Sequence, residues 1–188
     1  MRAKVIVAAA CLAAAFTFAR AATPVLADVK VDGDGEAYVV SCRLESGLTP
    51  EILEEIDAGL ETTIGYHLRV YRRRIGFLDE TIARHHVRCT VHHDALTRQY
   101  TLTRRIDGEV QDTRVTGDPR AMRDFLTVLD RIPVARGTDL VSGEQYYLKA
   151  RSEVGMIWRF YLIPWPLDTD WVRVPIALTE VKASDAKR

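Results

Sequence analysis

Four of the five histidines gather in one stretch, as His85-His86 and His92-His93. Imidazoles are zinc ligands and general bases, so the stretch invites a metal or acid–base reading. Its surroundings argue otherwise. Residues 81 to 93 alternate in a period of two, with His85, Val87, Cys89 and Val91 on one side and Arg84, His86, Arg88, Thr90 and His92 on the other. In a strand, adjacent histidines point to opposite faces, and His86 and His92 stand about 20 Å apart along one face. No two of the four can share an ion unless the strand is broken between them, so no metal site is assigned; one strand histidine could still join ligands from elsewhere. Asp32, Asp34 and Glu36 alternate like part of a calcium loop but lack the bidentate glutamate of its far end, and with Gly33 and Gly35 they read as a hairpin turn. No serine elbow, paired-cysteine motif, phosphate-cradling glycine loop or helical two-histidine motif occurs; Ser142-Gly143 and Ser41-Cys42 lack the expected surroundings. No catalytic residue and no cofactor is therefore assigned.

The other residues that could do chemistry are cations. The segment 63 to 75 also alternates, with Ile64, Tyr66, Leu68 and Val70 on one side and His67, Arg69, Tyr71 and Arg73 on the other. Paired with the strand after it, this puts Arg69, Arg73, Arg84 and Arg88, with His67, His86 and His92 among them, on one outer face. Such a face suits an acidic partner or anionic head groups. The plainer reading is a solvated face whose arginines pair with Glu80, Asp94 or Glu109. Trp158, Phe160, Tyr161, Trp165 and Trp171 crowd the C-terminal third, as core cover or as a contact surface.

The elements that must position these residues are mostly strands. Asp28 to Val31 and Glu36 to Leu44 flank the Asp-Gly turn as a hairpin. Thr49 with Pro50 opens a short amphipathic helix carrying Ile52, Leu53 and Ile56, with Gly59 as its stop. Segments 63 to 75, 81 to 93, 98 to 105 and 109 to 115 read as an antiparallel meander. Asp118 and Pro119 begin a second helix through Met122, Phe125, Leu126 and Leu129, with Pro133 as its end. Tyr146 to Val154 is a further strand. Residues 156 to 178, rich in proline, are expected to be irregular apart from a last strand near Val172 to Leu178. The expected fold is mainly β: an antiparallel sandwich or bent sheet of about seven to nine strands with two short helices. An α+β sheet with both helices on one face is the alternative.

Arg2 and Lys4 precede an apolar run of about 14 residues, Val5 to Phe18, and Ala19-Arg20-Ala21 offers small residues at a cleavage spacing. Residues 1–21 read as a signal peptide, 28–180 as a single β-rich domain and 181–188 as a frayed tail. The protein is accordingly expected in the periplasm or secreted. The whole chain balances 26 basic against 26 acidic residues. Loss of the leader removes Arg2, Lys4 and Arg20 and no acid, leaving a mildly acidic chain unsuited to nucleic acid. In an oxidising compartment Cys42 and Cys89 are open either to a disulfide or to life as buried thiols, since each falls on the apolar side of its strand.

The stretch Leu48-Thr49-Pro50-Glu51 with Leu60, the basic run Tyr71-Arg72-Arg73-Arg74, and above all Asp94-Ala95-Leu96-Thr97-Arg98-Gln99-Tyr100, with the Trp165 to Trp171 segment, resemble the bacterial family called domain of unknown function 4390. The resemblance spans roughly 28 to 176. It implies an exported protein of the bacterial envelope and carries over no catalytic residues.

Three functions follow as expectations. The first is a non-catalytic interaction module that offers its basic strand face, or its tryptophan-rich end, to the exported portion of an envelope or membrane protein, with peripheral membrane contact as a variant. The second is a small-ligand or lipid-binding β domain with an apolar cavity near Trp158, Phe160 or Trp165. The third, a hydrolase or metal enzyme, requires His85 or His93 to face a carboxylate in a cleft.

Overall fold

A computed structural model of the chain describes residues 23–159 and 163–178. The leader read over residues 1–21, Phe160, Tyr161 and the tail at 181–188 lie outside the described residues, and Trp158 and Trp165 are placed by their backbone only.

The chain is mainly β, with ten strands in two antiparallel sheets and two helices among the described residues. Strands β1 (Val25–Gly33) and β2 (Ala37–Glu45) form the opening hairpin. Its turn is held by the Asp34 carboxylate, which accepts from the backbone N–H groups of Ala37 and Glu36 at 2.9 and 3.0 Å. Those two bonds hold Asp34 below the usual carboxylate range. Helix α1 (Pro50–Asp57) starts where the Thr49 hydroxyl accepts from the Ile52 N–H and buries Ile52 and Ile56. The meander follows as β3 (Thr62–Arg72), β4 (Glu80–Asp94), β5 (Gln99–Ile106) and β6 (Glu109–Thr116). Helix α2 (Pro119–Thr127) is capped by Asp118, and β7 (Val128–Arg136), β8 (Tyr146–Arg159), β9 (Ile163–Asp168) and β10 (Val172–Ile176) complete the chain.

Two strands were not expected, and both contain proline. The second helix stops at Thr127 rather than running to Pro133, and the chain turns at once into β7. β7 lies at the edge of the three-stranded sheet, in the order β1-β2-β7, the position in a sheet where a proline such as Pro133 is tolerated. Leu129, Ile132 and Val134, which look like a continuing helical face, are instead buried from a bulged strand. Likewise β9, carrying Pro164 and Pro166, pairs only with the far half of β8. The irregular segment expected there is a strand because an edge position tolerates both prolines.

The larger sheet runs β10-β8-β3-β4-β5-β6, with β9 off this path. Ile64, Tyr66, Leu68 and Val70 of β3 and Val87, Cys89 and Val91 of β4 are fully buried, in one core cluster with Ile56 of α1, Leu126 of α2 and Val40 and Leu129 of the smaller sheet. Both helices and the smaller sheet thus cover one face of the larger sheet. The helix α2 is fastened at its C-terminal end, where carbonyls lack helical partners. Tyr66 Oη donates to the Leu126 carbonyl at 2.6 Å, and the Arg104 guanidinium donates to the carbonyls of Phe125 and Val128 at 3.2 and 3.3 Å. Cys42 and Cys89, left open above as a disulfide or two thiols, are both buried and free. Burial, with Cys89 close by, pushes the Cys42 thiol up to about 12.

Candidate functional site: the outer basic face

The period of two that buries one side of β3, β4, β5 and β8 presents the other side to solvent, and antiparallel register sets its residues in rows. Arg173 of β10 lies opposite Lys149 of β8, Lys149 opposite Arg69 of β3, and Arg69 opposite Arg84 of β4. Four cations therefore stand in one line across four adjacent strands, spaced about 4.8 Å from strand to strand. The next row reads Arg151, His67, His86, and the one after it Glu153, Gly65, Arg88, Arg105. Like charges directly opposite one another are destabilising in a sheet; here Arg69, Lys149 and Arg173 lie over the rings of Trp171, Tyr71 and Tyr147, at 4.8, 5.5 and 3.5 Å, which offsets part of that cost.

Few acids offset it. Glu80 pairs with Arg72 and Arg74, and Asp94 uses its carboxylate on the N–H groups of Leu96 and Thr97. Among the described residues Arg69, Arg84, Arg88, Arg105 and Lys149 have no carboxylate partner. Glu153 is the acid within the rows, with Asp168 opposite it on the edge strand β9. Arg73, expected within this face, lies just past the end of β3 and bonds Gln145 at 3.3 Å.

Around Glu153 a tighter cluster forms. Its carboxylate meets His67 Nε2 at 2.7 Å and Arg151 at 2.8 Å. Burial works against the Glu153 charge, yet the bonds and charges of His67 and Arg151 keep it below the usual carboxylate range. The His67 and His86 rings stack at 4.5 Å, with only 6° between their planes. Trp171, about a third exposed, lies beside His67, and the guanidiniums of Arg69 and Arg151 sit over its indole at 4.8 and 5.1 Å. Gly65 makes this possible, because a Cβ there would meet His86 Nε2 at 3.2 Å and Glu153.

One donor atom from each of His67, His86 and Glu153 lies within 4.8 Å of the others, the sort of three-ligand group that can hold a divalent ion. Within this group His86 meets neighbours from β3 and β8 rather than the other histidines of its own strand. An imidazole binds a metal in its own ring plane, and two nearly parallel stacked rings share no such point, so the arrangement is a stacked pair rather than a formed cage. Desolvation, then the neighbouring His67 and Arg88, makes His86 harder to protonate than an ordinary histidine.

Two of the other histidines bond to neighbouring elements. His85 reaches the Asp107 carboxylate with Nδ1 at 2.7 Å and the Val134 carbonyl with Nε2 at 3.2 Å, so both ring nitrogens are engaged within the fold. His93 contacts the Asp57 carbonyl and stacks on Tyr100. Surface clefts among the described residues include one at the sheet's end, lined by Arg73, Tyr147 and Arg173, one beside the β3–β4 turn, lined by Arg74, Phe77 and Glu144, and one beside α2, lined by Arg104, Arg114 and Phe125.

The fold and this surface define a two-sheet, mainly β protein that buries one face of its larger sheet and leaves a cationic face open. The chain belongs to the family described as Domain of unknown function (DUF4390), whose match runs over residues 21–156. No curated protein and no solved structure matches it.

Proposed function

We propose that the protein is an exported, non-catalytic interaction module of the bacterial envelope, which docks an acidic exported segment of a membrane protein on the outer face of its larger sheet. The observation that carries this reading is the unbroken cationic line Arg173, Lys149, Arg69, Arg84 across four strands. Placing like charges opposite one another without carboxylate partners makes sense when a partner supplies the missing anions. The Trp171 indole beside the line, roofed by two guanidiniums, adds an aromatic anchor of the kind that dominates binding energy in interfaces. Export is supported by the leader-like N-terminus in the sequence.

The test is partner capture by crosslinking in the producing cell, comparing the parent chain with an Arg69→Glu, Arg88→Glu double variant. The module loses its partner when both charges are reversed, while thermal unfolding stays within about 2 °C because both side chains are on the solvent face. Capture that survives the double reversal contradicts the reading.

A further inference from the structure

Single exposed apolar side chains are ordinary; a run of them at the end of a hairpin is not. At the β3–β4 turn, Ile75, Phe77 and Leu78 are 95, 81 and 93% exposed. Gly76 takes the turn's left-handed position at φ +81°, and nothing lies within 4 Å of where its Cβ would be. The tip is uncovered, yet its base is firmly tied. The Asp79 carboxylate accepts from the Tyr147 hydroxyl at 2.6 Å and from the Arg74 N–H at 3.1 Å, and the Arg73 N–H donates to the Gln145 carbonyl at 2.8 Å. The neighbouring loop adds Val141, which is also exposed.

Cations ring this apolar tip. Arg73, Arg74 and Arg173 stand at the same end of the sheet, with Asp79, Glu80 and Glu144 as the acids beside them. Glu80 is taken by Arg72 and Arg74, whereas Arg73 and Arg173 make no close ion pair among the described residues and only feel the Asp79 carboxylate at longer range, Arg173 lying over the Tyr147 ring. The line Arg173, Lys149, Arg69, Arg84 crosses the sheet only about 10 Å behind the hairpin's base.

We infer that the Ile75-Gly76-Phe77-Leu78 tip inserts into an anionic lipid surface, with Arg73, Arg74 and Arg173 at the level of the head-group phosphates. Ile75 and Phe77 also border a cleft shared with Gly143, Glu144 and Gln145, but Leu78 stands outside it and is 93% exposed, and a fluid bilayer takes up such side chains without a shape complement. Apolar side chains that reach the acyl boundary beneath a basic collar are the combination that gives interfacial binding. The inference stands apart from the docking reading, since it rests on the hairpin's tip and not on the sheet's face.

The test uses the full chain carrying Phe77→Trp, mixed with vesicles of phosphatidylcholine with or without phosphatidylglycerol, their acyl chains brominated. Emission is compared with that of the parent chain. The control is Leu96→Trp, because Leu96 is equally exposed at the opposite end of β4, about 45 Å away. The apolar run Val5 to Phe18 gives every variant the same additional lipid affinity, so position along β4, not binding as such, is read. The indole introduced by Phe77→Trp is quenched at least about twofold more than that introduced by Leu96→Trp, and only when phosphatidylglycerol is present. Adding Arg73→Gln and Arg74→Gln removes the difference. Equal quenching at both positions, none at either, or quenching that ignores phosphatidylglycerol overturns the proposal; none at either would leave the tip to a protein partner. All these positions are exposed and outside the core, so a folding failure does not confuse the result.

Discussion

Strand β3 divides its residues between a buried face that holds the fold and an open face that does not, and one pair of substitutions tests that division. Tyr66 is fully buried, and its hydroxyl is the partner of the Leu126 carbonyl at 2.6 Å, near the C-terminal end of α2. Tyr66→Phe keeps the ring and its packing and leaves that carbonyl buried and unpaired. The cost of such an orphan is about 1–3 kcal/mol. For a chain of this size, roughly 2–4 °C of melting temperature accompanies each kcal/mol, so the midpoint drops by about 2–12 °C. Arg69→Gln, three positions along the same strand, removes a charge that has no carboxylate partner among the described residues and only an indole beneath it. It stays within about 0.5 kcal/mol of the parent, the range of surface substitutions. Urea unfolding followed by far-ultraviolet circular dichroism measures both, provided the slope against denaturant is unchanged. If Tyr66→Phe costs less than about 0.5 kcal/mol, or Arg69→Gln costs as much as Tyr66→Phe, the assignment of the two faces is wrong.

Other consequences are quicker to check. Cys42 and Cys89 stay unmodified by a thiol reagent at neutral pH and both react once the chain is unfolded, because burial keeps the thiolate form scarce; rapid labelling of either in the folded chain would contradict this. His86 has a folded pKa below its ordinary value near 6.5, so the unfolded chain takes up a proton that the folded chain resists as pH falls through that window. Stability therefore declines on acidification below 6.5 until the folded value is passed, and His86→Gln flattens this part of the profile; an unchanged profile counts against the stacked-pair environment. Asp118→Ala removes the side chain that accepts from the Arg120 N–H at 2.8 Å and costs about 1 kcal/mol, measured by the same unfolding experiment.

Much of this surface was legible in the sequence because it depends on alternation alone. The period of two in residues 63 to 75 and 81 to 93 separates Tyr66, Leu68 and Val87 from His67, Arg69, Arg84 and Arg88, and the structure keeps that separation. The helix caps Thr49 and Asp118 carry local hydrogen-bond chemistry and were equally readable. Register was harder. Tyr71 lies opposite Thr81, but Val70 lies opposite Ala83, and this bulge decides that His67 faces His86. A bulge of one residue has no clear composition of its own, so the His67, His86 and Glu153 cluster did not emerge from the turn position alone. The alignment of Lys149 and Arg173 with Arg69 was less visible still, since it joins strands far apart in the chain. β7 and β9 were missed for the opposite reason. Pro133, Pro164 and Pro166 are local signals against a strand, and only the tertiary position at a sheet edge overrides them. The exposed tip at Ile75, Phe77 and Leu78 is not legible from alternation, because it lies between the two alternating segments 63 to 75 and 81 to 93.

The most direct test of the docking face places a photoreactive side chain at Thr103, on the open face one strand from Arg88, and separately at Arg43, exposed on the smaller sheet. After irradiation of intact cells, the account predicts one envelope protein with an acidic exported segment attached at Thr103 and absent at Arg43, and lost from Thr103 when Arg69→Glu and Arg88→Glu are added. The same attachments at both positions, or attachment at Thr103 that survives the two charge reversals, would contradict it.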